Sequence, residues 1–248
     1  MTTQQQPIVI GHRGAAGEAP ENTLASFELA LLQGADAIEL DVHLSADGEV
    51  IVCHDHTVGR TTDGTGAIAE LTVAELKQLD AGRWFAERFA GERLPLLEDV
   101  FQLVPIEIMI NVEVKCSYTP RLAERLAELL AQYNRLDSVV VSSFNHKVLK
   151  QLQEAILNLR AGLLYVANFV SHRQMAAAAE GLDVYAIHPQ HHTVDAGDVA
   201  EATGYGLRVY PWTVNEPQDL RRVIDAGASG IITDFPGRLR SLLNEGKA

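Results

Sequence analysis

The sequence predicts an α/β fold, a TIM-type (β/α)8 barrel with a small inserted cap after the second strand. Three observations predict it. Short β-branched runs alternate with longer helical patterns almost from end to end, which argues for a parallel sheet with helical crossovers. About eight such units fit within 248 residues, the usual span of a closed barrel and a long one for most other single-core folds. The rhythm also breaks once, after His54, in a Gly-, Thr- and Asp-rich stretch. Residues 1–248 are read as one domain, with the insertion at about 56–100.

In chain order, strands are expected at Ile8–Gly11, Ala37–Leu44, Glu49–Cys53, Glu107–Lys115, Val139–Ser142, Ala161–Tyr165, Val184–Ile187, Leu207–Trp212 and Gly230–Thr233. Each is a short apolar or β-branched run. Helices are expected over Thr23–Gln33, Pro120–Tyr133, His146–Ala155, His172–Ala179, Asp195–Thr203, Pro217–Ala226 and Gly237–Asn244. Asn22 is the natural N-cap of the first helix. The insertion follows a strand end, so it is expected to sit over the barrel mouth; a long insertion in a compact domain is more often functional than idle.

Composition narrows the function. Apolar residues make up 47% and charged residues 21%, enough for a sizeable core with no disulfide framework. The formal net charge of -13 disfavours nucleic acid and anionic membrane surfaces as partners. It also requires local positive charge or a bound cation if the substrate carries phosphate. The two cysteines, Cys53 and Cys116, are expected as reduced thiols. The polar N-terminus MTTQQQ lacks the features of a signal peptide, and no apolar run approaches ~18 residues, so a soluble cytoplasmic protein is expected.

The chemistry gathers at strand ends. His12 and Arg13 close the first strand, and Arg13 offers a planar fork suited to phosphate oxygens, although a solvated Arg in a polar turn fits as well. In AIELDVH, Glu39, Asp41 and His43 share one face and Ile38, Leu40 and Val42 the other. The apolar face must pack on helices, which sends Glu39 and Asp41 into the barrel. Buried carboxylates there need a cation or strong donors, so metal binding is favoured over a buried ion pair; His43 is expected at the rim. Asn111, Glu113 and Lys115 alternate in the same way. Glu113 can complete a three-carboxylate site, or it can simply pair with Lys115. Oxygen-only ligands select Mg²⁺ or Ca²⁺, with Mn²⁺ as an alternative. His54, at another strand end, is an acid–base candidate across the mouth from His12. Trp212 can wall a small-molecule pocket or be core. The cluster His188, His191 and His192 is expected as a solvated loop.

Together these residues resemble the glycerophosphodiester phosphodiesterase family, in its short bacterial cytoplasmic form. The matching pieces are GHRG (Gly11–Gly14), PENT (Pro20–Thr23), E-x-D at Glu39 and Asp41, HD at His54–Asp55 and E-x-K at Glu113 and Lys115. RTTDGTG (Arg60–Gly66), WTVN (Trp212–Asn215) and GIITDFP (Gly230–Pro236) also match. Each motif is weak alone; in order along nearly the whole chain they are specific. The resemblance implies a capped TIM barrel with His12 and His54 as the catalytic pair and Glu39, Asp41 and Glu113 as metal ligands. It implies Arg13 and Lys115 on the phosphate and Trp212 in the glycerol pocket. The implied reaction is metal-dependent hydrolysis of a glycerophosphodiester such as glycerophosphocholine or glycerophosphoethanolamine to glycerol 3-phosphate and an alcohol. Rival expectations are a lyase acting on lysophospholipids and a barrel that binds a phosphorylated ligand without turnover.

Overall fold

Period-two alternation gives the sheet two distinct faces. The computed structural model describes residues 6–166, 171, 174, 177, 179 and 181–245. Its strands are β1 (Ile8–Gly11), β2 (Ala37–Leu44), β3 (Val50–Val52), β4 (Met109–Val114), β5 (Val139–Ser143), β6 (Arg160–Tyr165), β7 (Val184–Pro189), β8 (Arg208–Val209) and β9 (Gly230–Thr233). All but β3 lie parallel in the order β8-β7-β6-β5-β4-β2-β1-β9. Backbone bonds from Ser229 N to Val209 O (3.0 Å) and from Ile232 N to Pro211 O (3.1 Å) span the seam between the two ends. β8 is short where Pro211, which has no N–H to give, follows it. The result is a nearly closed barrel of TIM type.

β3 departs from the expected series of crossovers. Val52, Ile51 and Val50 pair antiparallel with Val42, His43 and Leu44. The connection from Leu44 to Val50 turns tightly, with Ser45 N bonded to Glu49 O at 3.0 Å, and leaves no room for a helical crossover. The strand therefore returns as a hairpin and lies outside the barrel.

Outward side chains of the barrel strands, among them Val9, Ile38, Leu40, Val42, Ile110, Val112, Val139, Val141, Ile187 and Ile231, join one large core beneath the helices. Inward ones, Ile10, Ala37, Ala186, Tyr210 and Ile232, form a second core inside the barrel. The helices are α1 (Leu24–Leu32), α2 (Val73–Leu76), α3 (Leu97–Leu103), α4 (Pro120–Gln132), α5 (His146–Ala155), α6 (Ala196–Gly204), α7 (Pro217–Asp225) and α8 (Pro236–Glu245). α4 shows the logic: Thr119 caps it, Pro120 starts it, and Leu122, Leu126, Leu129 and Leu130 fall on one buried stripe. Each such leucine contributes about 1.5–3 kcal/mol of burial. Most of the helix expected at His172–Ala179 lies outside the described residues.

Within the stretch expected to be irregular, α3 is a regular helix whose Leu97, Val100 and Phe101 enter the main core. The cap proper has its own small core of Ile51, Cys53, Val58, Ile68, Leu76, Ala81 and Leu94. Backbone donors tie it together: Asp80 accepts from Gly82 N, Arg83 N and Gly91 N at 2.8–2.9 Å. Those three donors hold the Asp80 carboxyl down to about 2. Cys53 and Cys116 are both free thiols.

Candidate active site

The C-terminal ends of β1, β2 and β4 place the central residues. β2 and β4 pair in register with Glu39 opposite Asn111 and Asp41 opposite Glu113. All four side chains are on the inward parity and buried. Donor oxygens of Glu39, Asp41 and Glu113 lie within 4.8 Å of one another. Arg13, just past β1, donates from its backbone N to Glu39 Oε2 (2.9 Å), and its Nε lies 3.2 Å from Asp41 Oδ2. Lys115 Nζ donates to Glu113 Oε1 at 2.7 Å and sits 3.5 Å from Asp41 Oδ1.

The protonation energetics follow from this crowding. Burial, then the neighbouring Asp41 and Glu113 charges, push Glu39 well above the usual carboxylate range. Burial and Asp41 raise Glu113 to about 7 against the pull of Lys115. Burial raises Asp41 too, but Arg13, Lys115 and His54 outweigh it and hold the group low. Two cations thus face three carboxylates, and the buried Asp41 Oδ1 accepts no hydrogen bond. An oxygen-only donor set of this kind, with a bare buried acceptor and unbalanced negative charge, fits a hard divalent cation.

The two histidines are anchored alike. His12 Nδ1 lies 2.6 Å from Asp234 Oδ1, and Asn215 Nδ2 donates to Asp234 Oδ2 at 2.6 Å. His54 Nδ1 lies 2.7 Å from Asp55 Oδ1. A carboxylate at Nδ1 holds the proton there and leaves Nε2 as the working nitrogen. Burial shifts His54 downward, partly offset by Asp41. His12, His54, Arg13, Glu39, Glu113, Lys115 and Trp212 line one cavity, with Phe144 and Leu164 forming an apolar wall beside Trp212. The Trp212 indole N–H donates to His188 O at 2.7 Å, and its ring meets Phe144 edge-on at 5.4 Å. Every site residue expected from the sequence therefore belongs to one mouth.

Four expectations change. Asn22 is not the N-cap; Thr23 is, and Asn22 instead adopts φ 58°. From there its amide donates to Asp41 Oδ2 at 2.8 Å. His43 is buried rather than at the rim, with Nε2 3.1 Å from His54 O. His188 belongs to β7 and points into the barrel over Gly162, whose missing Cβ leaves room for the ring. Burial pushes His188 down to about 3, so it is neutral. His191 is also buried, with Arg222 NH2 2.9 Å from its Nδ1. Donors of His191, His192 and Asp219 lie within 4.8 Å of one another, but the Arg222 guanidinium already supplies the positive charge there. Asp234 and Asn215, the support of His12, were not among the expected site residues; the available signal is an Asp directly after a barrel strand.

A barrel whose mouth joins three carboxylates, two cationic side chains and two anchored histidines is equipped as a hydrolase of phosphate esters. The comparisons agree. The model of the glycerophosphoryl diester phosphodiesterase family matches residues 12–238. A glycerophosphodiester phosphodiesterase of Caldanaerobacter subterraneus subsp. tengcongensis is 41% identical over 242 residues, spanning 96% of this chain and 98% of its own. The structure of an Oleispira antarctica phosphodiesterase in complex with the product sn-glycerol-3-phosphate is similar with a TM-score of 0.88 at 30% identity, covering 96% of this chain and 97% of that one. A glycerophosphodiester phosphodiesterase from Agrobacterium tumefaciens str. C58 gives 0.83 at 27% identity, covering 95% and 99%. The chain belongs to the glycerophosphoryl diester phosphodiesterase family. It is a phosphoric diester hydrolase of glycerophosphodiesters.

Proposed function

We propose that the protein cleaves small glycerophosphodiesters to glycerol 3-phosphate and an alcohol, using a divalent cation held by Glu39, Asp41 and Glu113, with His12 and His54 as the acid–base pair. The observation that carries this is the pairing of two carboxylate-anchored histidines with one buried carboxylate triad in a single cavity. The product complex of the Oleispira antarctica relative supports the choice of product. Mg²⁺, Ca²⁺ or Mn²⁺ suits the all-oxygen donors; once bound it supplies Lewis-acid polarisation of the phosphodiester.

The chain's own groups do the rest. Arg13 and Lys115 give the phosphate the positive field that the acidic surface denies it. One histidine takes at Nε2 the proton of the nucleophile, either water itself or the glycerol 2-hydroxyl with water then opening the cyclic phosphate, and the other gives a proton to the departing alcohol oxygen. Asp234 and Asp55 hold both rings through this exchange. Trp212, with Phe144 and Leu164 beside it, bounds the glycerol end. The same reading places the whole chain in one cytoplasmic barrel domain; among the described residues no helix is long and apolar enough to cross a membrane.

Steady-state release of glycerol 3-phosphate from glycerophosphocholine by His12→Ala and His54→Ala is the test. Each variant should lose about 10²–10⁴ in kcat. Near-wild-type turnover in either would remove that histidine from the mechanism.

A further inference from the structure

The cap reaches the acid–base pair through one side chain. Arg60 donates Nε to Asp55 Oδ2 (2.7 Å) and NH2 to Asp55 Oδ1 (3.1 Å), and on its other edge NH1 and NH2 to Glu21 Oε2 (2.9 Å) and Oε1 (2.7 Å). Both carboxylates hold a site residue on their far side. Asp55 holds His54 Nδ1, and Glu21 accepts from Arg13 NH1 at 2.8 Å. A continuous line of charged contacts therefore runs from Asp41 through Arg13, Glu21, Arg60 and Asp55 to His54.

The backbone beneath Arg60 is built to hold that pose. Thr61 and Thr62 are buried, Thr62 Oγ1 donates to Val58 O at 2.8 Å, and Gly64 N donates back to Thr62 Oγ1 at 3.1 Å. The Arg60 side chain is 44% exposed, so its ion pairs add little to stability. Its geometry has another use. A guanidinium that forks two carboxylates at once fixes both rotamers, which a single-point ammonium cannot do.

We propose that Arg60 is a positioning residue of the cap. By clamping Asp55 against Glu21 it sets the orientation and tautomer of His54, and it makes assembly of the catalytic pair depend on the cap being seated. This rests on the reading of His54 as an acid–base group.

The test uses Arg60→Met and Arg60→Lys in the full chain, with His54→Ala alongside. Steady-state kinetics are run on glycerophosphocholine in saturating Mg²⁺, and His54 is titrated by ¹⁵N NMR in EDTA. The other charged or titratable groups facing His54 are Asp41, Arg13, Lys115 and His43, and they are the same in all Arg60 forms. Arg60→Met should lower kcat about tenfold or more while KM stays within roughly threefold, and Arg60→Lys should fall between it and wild type. The His54 titration should move to higher pH in Arg60→Met, because Asp55 then meets the imidazolium without a competing cation.

A folded Arg60→Met with wild-type kcat, a change in KM alone, or an unmoved His54 titration would each overturn the proposal. If Arg60→Met does not fold, the Arg60→Lys kinetics decide: wild-type kcat, or a change in KM alone, overturns the proposal. Wild-type turnover in His54→Ala would instead overturn the acid–base reading itself, and so separates the two failures.

Discussion

Glu113→Gln takes one negative charge out of the carboxylate triad and tests whether that triad is built for a cation rather than for stability. In the metal-free protein, burial and Asp41 lift Glu113 from 4.5 to about 7. The folded form thus binds its proton more tightly than the unfolded chain does. Stability from this group is fully present below about 4.5 and is lost as pH rises through 7. The full displacement corresponds to roughly 3 kcal/mol. The pull of Lys115 is already within it, so the lost Lys115–Glu113 pair adds no separate cost. Glutamine does not titrate, so the variant should match wild type near pH 4.5 and exceed it by up to roughly 3 kcal/mol at pH 8, a rise of about 6–12 °C in Tm. The assay is thermal unfolding by circular dichroism in EDTA across that range, repeated with Mg²⁺, Ca²⁺ and Mn²⁺. Divalent cations should raise the wild-type Tm by mass action and the variant's far less. A variant less stable than wild type at pH 8 in EDTA, or a difference that does not change with pH, would refute the reasoning.

Other perturbations separate support from chemistry. Asp234→Asn replaces the carboxylate at His12 Nδ1 with a neutral amide that can present a donor there, and should lower kcat by about 10²–10⁴ with little change in KM, read by steady-state kinetics. Asn215→Ala leaves Asp234 in place without its amide donor, so a smaller loss in the same assay is expected. Arg135 is fully buried and donates to Phe101 O, Val104 O and Pro105 O at the end of α3. Arg135→Met should cost roughly 2–4 kcal/mol in chemical denaturation while kcat of the folded protein stays near wild type.

The barrel and the central carboxylates were legible because one physical pattern carries both. In AIELDVH and INVEVK the apolar parity must face helices, so the polar parity can only face inward. That argument places Glu39, Asp41, Asn111 and Glu113 without any tertiary information. Residues beyond the regular strands were harder. Asn22 reads as a cap because Asn favours that role, yet a left-handed φ turns it toward Asp41. His188 reads as a loop residue when the strand ends at Ile187; continuing the alternation from Ala186 places it inside. The cap gives little periodic signal, since its one α-helix, α2, is four residues long and Asp80 ties the rest through backbone donors. The support of His12 by Asp234 and the contact of Glu21 with Arg60 join residues far apart in sequence, and only the pairing of β1 with β9 and the seating of the cap bring them together.

The central claim is that the three carboxylates hold a divalent cation required for phosphodiester hydrolysis. Release of glycerol 3-phosphate from glycerophosphocholine and glycerophosphoethanolamine, followed by ³¹P NMR in EDTA and after adding back Mg²⁺, Ca²⁺ or Mn²⁺, tests it most directly. The account predicts no monoester in EDTA and recovery with at least one of these ions in wild type but not in Glu39→Gln. Undiminished release in EDTA, or full recovery in Glu39→Gln, would contradict it.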